Sequence, residues 1–349
     1  MTEVAINGRS IGPDHPPFVI AELSANHNGS IERALQTITA AKNSGADAVK
    51  LQTYTADTLT IDCDKPDFLI KGGLWDGSWL YELYNEAHTP FEWHEVLFAQ
   101  ARRLGITIFS TPFDETAVDL LESLNAPAYK IASFELVDLP LIERVASTGK
   151  PLIMSTGMAN EAEVREAAEV AQAAGCTQLA FLHCISSYPA PIEQSNLRQI
   201  PELARITGGV VGLSDHTMGT TAAVASVALG ACIIEKHFML DRSEKGPDSS
   251  FSIEPDGLRN LCDSVRDAWL ALGRADFAAR PAAEAGSKTF RRSVYFVRDL
   301  PAGAVVKAED VRRIRPGFGL APGHLRKIIG RRLKIAVSRG TATAWELFE

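Results

Sequence analysis

Eight short apolar, β-prone runs recur through the first 240 residues: FVIAE (18–22), DAVKLQ (47–52), ITIFS (106–110), AYKIAS (128–133), PLIMST (151–156), QLAFLHC (178–184), VVGLSD (210–215) and CIIEKH (232–237). Short continuous apolar runs of this kind suit strands buried on both faces, as in a parallel sheet. Most are separated by segments with helical periodicity. Ile31, Ala34, Leu35, Ile38 and Ala41 share one helical face, with Ser30 at the N-cap position and Gly45 past the far end. Asp114 precedes ETAVDLLESL, where Val118, Leu121 and Leu124 align, and Asn160 with Glu163 has capping-box spacing. Ala-rich helical segments fill 218–230 and 256–272. Eight strand–helix units in roughly 250–270 residues are the expected span of a (β/α)8 barrel. The competing doubly wound sheet usually opens on a Gly-rich first turn, and no GxGxxG follows the first run.

Two stretches break the alternation. The connection 53–90 is long and irregular, and its GGLWDGSWLYELYNEAHTP is rich in Gly, Trp and Tyr; long loops after barrel strands shape pockets or subunit contacts. After Gly273 the pattern stops. The expected organisation is a barrel at 1–273, a linker at 274–288 that spans roughly 20 Å on average, and a small module at 289–349. Charge divides along the same line. Residues 288–349 carry 14 Lys or Arg against 5 Asp or Glu, while the chain as a whole is at −8. A basic module can serve nucleic acid, an acidic partner domain or an anionic substrate. Its basic residues lack interleaved aromatics for base stacking, so no nucleic-acid partner is expected. No window approaches 18 consecutive apolar residues, so no membrane span is expected. MTEVAINGRS has no basic stretch followed by an apolar one, so no secretory leader is expected. Five dispersed cysteines without a CxxC pair fit free thiols in a reducing cytoplasm.

Each run ends in polar residues, and barrel enzymes gather the C-terminal ends of their strands on one face. In order these are Glu22; Lys50 and Gln52; Ser110 and Thr111; Lys130, Ser133 and Glu135; Ser155 and Thr156; His183, Ser186, Ser187 and Tyr188; Ser214, Asp215 and His216; and Glu235, Lys236 and His237. Unpaired charges are costly to bury, so these groups need partners or a ligand. His216 and His237 end neighbouring runs, and adjacent strands lie about 4.8 Å apart. They are read either as a pair sharing a divalent ion or as hydrogen-bonded rim histidines. Lys50 and Lys130 have three readings: holding a phosphate or carboxylate ligand, ion-pairing with Glu22 and Glu135, or forming a Schiff base. Glu22 reads as a general base or a lysine's partner. Asp248 reads as a turn former or a ligand contact. Arg315, before Pro316 and Gly317, reads as a solvated arginine or one presented by a rigid turn.

AELSANHNG (21–29), KLQTY (50–54), STPFDE (110–115), YKIAS (129–133), MSTGM (154–158), CISSYP (184–189), GLSDHT (212–217), IEKHFMLDR (234–242) and GPDSSFS (246–252) together resemble the sialic acid synthase family, in order along nearly the whole chain. RPGFG at 315–319 resembles that family's antifreeze-like (SAF) domain. The resemblance implies condensation of phosphoenolpyruvate with an N-acetylated amino sugar to give a nonulosonic acid and phosphate. It implies that Lys50, Thr111, Lys130, Ser133, Ser155 and Ser214 bind phosphoenolpyruvate, with Ser186 where sialate synthases tend to carry Asn. It assigns Gln52, Tyr188, Glu235 and Asp248 to the sugar, Glu135 to substrate binding, and the chemical step to Glu22, Lys130 and His237. His216 and His237 would hold a divalent ion of manganese type, with magnesium and cobalt as alternatives. Arg315 would reach the sugar site of the other subunit in a domain-swapped homodimer. The blocks at 73–94, 133–141 and 247–252, with Ser249 where other branches tend to carry His, point to the branch using a diacetamido-trideoxy-altrose. The alternative is the branch using N-acetylmannosamine or a related mannose analogue.

Overall fold

The computed structural model describes residues 3–278 and 281–349. The chain divides into two compact units, Met1–Gly273 and Arg274–Glu349. In the first, eight parallel strands close into a barrel: β1 (Phe18–Glu22), β2 (Ala48–Thr53), β3 (Thr107–Pro112), β4 (Tyr129–Ile131), β5 (Leu152–Ser155), β6 (Leu179–Cys184), β7 (Val210–Asp215) and β8 (Ile233–His237), with β8 pairing back onto β1. All eight apolar runs of the sequence are strands. Eight helices follow them: α1 (Ile31–Asn43), α2 (His94–Leu104), α3 (Glu115–Ser123), α4 (Leu139–Ala146), α5 (Glu161–Ala173), α6 (Gln199–Thr207), α7 (Thr221–Ala228) and α8 (Pro255–Leu272).

The helix starts lie where side-chain chemistry places them. Ser30 accepts from Arg33 N, and Asp114 accepts from Thr116 N and Ala117 N. Asn160 accepts from Ala162 N and Glu163 N while Glu163 returns a bond to Asn160 N, closing the capping box. Each such cap is worth about 1 kcal/mol against an alanine.

Strand alternation separates two cores. Val19, Val49, Leu51, Ile108, Met154, Phe181, Val211 and Ile234 face outward and pack on the helices. Phe18, Ile20, Ala48, Phe109, Ile153, Leu182, Val210 and Ile233 fill the barrel interior. Gly212 belongs to this inner layer: a Cβ there would meet Ile233 O at 2.3 Å and Leu182 Cδ2 at 2.7 Å, so closure at that level requires glycine. The interior is plugged from the N-terminal side by a hairpin, Val4–Ile6 with Arg9–Ile11, whose Val4, Ile6 and Ile11 join the same cluster. The hairpin lies outside the eight sequence runs, because three-residue strands carry too short a pattern to read.

The connection 53–90 is more ordered than its composition implies. It holds short helices at Ala56–Leu59 and Leu80–Ala87 and a bridge between Leu69 and Trp79. The second unit pairs β9 (Ser293–Phe296) antiparallel with β10 (Val311–Ile314) over a core of Val294, Phe296, Val306, Ile328, Leu333, Val337 and Phe348. Residues 282–284 and 286–290 form short 3-10 turns. Among the described residues no helix is long and apolar enough to cross a membrane.

Candidate active site

Register builds the site. Glu22 pairs with Lys50 across β1–β2, Gln52 with Thr111 across β2–β3, Cys184 with Ser214 across β6–β7, Ser214 with Glu235 across β7–β8, and His237 with Glu22 across β8–β1. These residues continue the parity of the inner apolar layer, so they form the polar layer above it at the C-terminal mouth. CIIEKH thereby splits by parity: Glu235 and His237 face the mouth, and Lys236 faces the helices.

Lys50, 3 % exposed, pairs with Glu22, donates to Thr111 Oγ1 at 3.1 Å and lies 3.7 Å from Glu235 Oε1. Ser214 donates to the same Glu235 oxygen at 3.1 Å. Burial alone would push the Lys50 pKa down, but Glu22 and Glu235 beside it hold it above the ordinary lysine value. Glu235 is the converse: burial would raise it, and Lys130 and Lys50 bring it below the ordinary carboxylate range. Lys130 has no carboxylate partner within ion-pair distance. It donates to Ser155 Oγ at 2.6 Å and to Ile131 O at 3.0 Å, and burial lowers its pKa. The two lysines therefore differ. Lys50 is clasped between acids, whereas Lys130 sits among hydroxyl and carbonyl oxygens. The expected pairing with Glu22 is present; a pairing with Glu135 is not, because the chain turns after β4 and Glu135 joins a different wall.

Ser133 and Ser186 both approach Gly157 closely. Gly157 N donates to Ser133 Oγ at 3.1 Å, and a Cβ at 157 would lie 2.2 Å from Ser186 Oγ and 2.7 Å from Ser133 Oγ. A side chain there would fill this cradle of hydroxyls and backbone N–H.

His216 and His237 come together with ring centroids 5.4 Å apart, both against Tyr188, at 4.3 and 6.1 Å. His216 Nδ1 donates to Ile185 O at 2.9 Å, so Nε2 is the nitrogen free to act as an acceptor when the ring is neutral; burial opposes the charge, but Cys184 and the Ile185 carbonyl beside it hold the pKa above the ordinary histidine value. His237 Nδ1 is buried without a hydrogen-bond partner, 3.6 Å from Asp248 Oδ2. Glu235 Oε2 is also buried and unpartnered. Orphaned buried groups of this kind cost about 1–3 kcal/mol each, and two imidazole acceptors beside carboxylates are a donor set that suits a divalent ion with open positions. No group of three or more His, Cys, Asp or Glu among the described residues forms a closed ligand set.

Beside this cluster lies a cavity of about 340 Å³. Gln52, Glu135, Tyr188, His237 and Asp248 line it together with side chains of the 53–90 connection. Burial raises the Glu135 carboxyl to about 7. Asp248 is held below its ordinary value against its burial by His237, Ser24 and the Ala25 N–H, and Trp75 Nε1 donates to Pro247 O at 3.0 Å, anchoring that loop. Arg315 follows β10 in the second unit, where Ser293 Oγ donates to Pro316 O and accepts from Gly319 N, fixing the RPGFG loop.

Three members of the site escape sequence reasoning. Cys184, whose Sγ is 3.8 Å from His216 Nδ1, was legible by strand parity as an inward residue. Trp75 and Gly157 had no such signal, since their roles rest on contacts between distant segments.

The profile of the NeuB family matches residues 37–277, and that of the SAF domain matches residues 291–349. The pseudaminic acid synthase of Helicobacter pylori is 43% identical over 317 residues, 91% of this chain and 93% of that one. The N,N'-diacetyllegionaminic acid synthase of Legionella pneumophila is 39% identical over 349 residues, 99% and 98% of the two chains. Among solved structures, the N-acetylneuraminic acid synthetase of Leptospira borgpetersenii, in complex with citrate, superimposes with a TM-score of 0.73 at 29% identity, covering 82% of this chain and 94% of that one.

Proposed function

The chain belongs to the NeuB family, and from that premise we propose that it is a pseudaminic acid synthase, joining phosphoenolpyruvate to a diacetamido-trideoxy-altrose with release of phosphate. It is a C–C bond-forming transferase. The observation that carries the reading is the paired arrangement at one barrel mouth: two buried lysines among hydroxyls, next to two imidazoles and a cavity walled partly by carboxylates.

The roles follow from the surroundings. Phosphoenolpyruvate carries two anionic groups. Lys50 and Lys130, with hydroxyls from Thr111, Ser133, Ser155, Ser186 and Ser214, hold them and fix the enol carbon, and the Gly157 N–H orients the Ser133 hydroxyl. Gln52, Glu135, Tyr188, Glu235 and Asp248 receive the open-chain sugar and turn its aldehyde toward that carbon. The C–C bond forms as the enol π pair attacks the aldehyde carbon. The aldehyde oxygen takes a proton, water adds to the resulting cationic carbon, and phosphate leaves. Glu22, held by Lys50 and by Ser24 N at 2.9 Å, is positioned to orient that water or handle the aldehyde's proton. His216 and His237 are the residues that would hold a divalent ion, manganese, magnesium or cobalt, which when bound supplies Lewis acidity toward the aldehyde oxygen.

The proposed division of labour is a catalytic barrel at 1–273, a linker at 274–288 and an SAF domain at 289–349 that brings Arg315 to the sugar site of a second subunit in a cytoplasmic homodimer. The N,N'-diacetyllegionaminic acid synthase at 39% identity favours a second reading, a legionaminic or sialic acid synthase acting on a mannose-type sugar. Purified protein offered phosphoenolpyruvate with each sugar decides between them through phosphate release. Preference for N-acetylmannosamine would overturn the assignment.

A further inference from the structure

The 340 Å³ cavity also has an apolar lining, supplied mostly by the 53–90 connection through Leu59, Ile70, Trp75, Leu83 and Tyr84, with Phe113 after β3 and Phe134 after β4. Leu83 and Ala87 lie four residues apart on the helix Leu80–Ala87, so both meet the cavity from one helical face. The wall is built, not draped. Ile70 exchanges backbone bonds with Ser78 O at 2.9 Å and Gly77 N at 3.0 Å. Trp75 is tied to Pro247 O. Tyr54 packs edge-on against both Tyr84 and Phe113, at 6.1 and 5.1 Å. The Trp75 N–H is already engaged, and Leu59, Ile70, Leu83 and Phe113 have no polar side-chain atom, so the part of the wall made by these four is apolar and the Tyr84 hydroxyl lies outside it. A polyhydroxylated carbon pressed on this surface would lose water and gain no partner, whereas a methyl group would gain apolar contact.

We infer that this wall is the specificity element of the site, and that Ile70 and Leu83 select sugars presenting methyl groups, a deoxygenated terminal carbon and an acetamido methyl, over sugars with a hydroxyl there. The inference rests on the proposed reaction but assigns a function to a segment that reaction leaves unused. Gln52, Glu135 and Asp248, which line the same cavity, take the hydroxyl and amide groups, which sets the sugar's orientation there.

The test compares kcat/KM for the diacetamido-trideoxy-altrose and for N-acetylmannosamine, in wild type, Ile70→Thr and Leu83→Asn, with KM for phosphoenolpyruvate as control. Both positions are half-buried, so these polar changes, near-isosteric at Leu83 and one carbon shorter at Ile70, are tolerable. Each should lower the preference for the deoxy sugar about tenfold, within the 10–200-fold range for one group in an apolar pocket, and leave KM for phosphoenolpyruvate unchanged. An unchanged ratio, or equal loss on both sugars, overturns the inference. A substrate-side arm needs no variant. The terminal-hydroxyl counterpart of the diacetamido sugar should lose about tenfold in kcat/KM on wild type, and equal turnover of the two overturns the inference even if a variant misfolds. Failure of the reaction reading looks different: wild type would then prefer N-acetylmannosamine before any substitution is made.

Discussion

Asp215→Asn should be among the most damaging single-atom exchanges in this protein, although the side chain lies outside the barrel mouth. Asp215 and Lys236, at 3 % and 2 % exposed, face the helical layer from adjacent strands. Asp215 Oδ2 accepts from Lys236 Nζ at 2.8 Å, and Oδ1 accepts from Thr217 N at 2.9 Å and Thr217 Oγ1 at 2.8 Å. The remaining neighbour of the ammonium is Thr217 O at 2.7 Å. An asparagine can keep the Thr217 bonds only by turning its NH2 toward the ammonium, which leaves a buried cation facing a donor. Breaking a buried pair in this way costs about 3–5 kcal/mol, roughly a fifth or more of a typical 5–15 kcal/mol stability. The pair also joins the ends of β7 and β8 one residue from His216 and His237, so a spread between those strands should weaken manganese binding as well. Urea unfolding followed by far-UV circular dichroism measures the first effect, and calorimetric titration with manganese the second. Lys236→Met in the Asp215→Asn background should restore part of the loss, giving a coupling energy above about 1.5 kcal/mol. A single-variant cost below about 1 kcal/mol, or strictly additive costs, would refute the argument that the pair is a mutually dependent buried unit.

Gly157→Ala places a methyl where Ser186 Oγ and Ser133 Oγ stand, and should raise KM for phosphoenolpyruvate at least tenfold with little change in KM for the sugar; an unaltered phosphoenolpyruvate KM sinks the assignment of that cradle. Burial raises the Glu135 carboxyl from 4.5 to about 7, so the folded state keeps a proton that the unfolded chain releases. That contribution is fully present below about pH 4.5 and is lost as pH rises through 7. Glu135→Gln should therefore gain about 2–3 kcal/mol relative to wild type between pH 5 and pH 8; urea midpoints that move in parallel at both pH values contradict it. Chelation by EDTA should abolish phosphate release and added manganese restore it, while His237→Asn should stay inactive under either condition; full activity after chelation removes the ion from the proposal.

The barrel was legible because its strands carry the pattern themselves. A run such as FVIAE or VVGLSD is apolar at every position since both faces are covered, and the caps at Ser30, Asp114 and Asn160 depend only on residues two or three positions away. The polar strand ends were legible for the same reason: Glu22, Lys50, Lys130 and Glu235 each interrupt an apolar run, where burial demands a partner. Who partners whom was not. Pairing with Glu135 was one of three readings the sequence left open for the lysines, yet the turn at Ser133–Glu135 carries that carboxylate to the cavity wall, and it is Glu235 from the last strand that comes beside Lys50.

The amino-acid sequence by itself determined the number of barrel strands, their order along the chain, where the capped helices after them begin and which residues would be too costly to bury alone. Only closure of the sheet decided which alternate residues face inward and which strands become neighbours. That choice brought β8 against β1, gathered the charges of CIIEKH into the mouth at Glu235 and His237, and turned Lys236 outward to Asp215. It also folded a Gly- and Trp-rich connection into an apolar wall. Local pattern reports burial and period, whereas a site is made of contacts between residues whose separation along the chain carries no information about their separation in space.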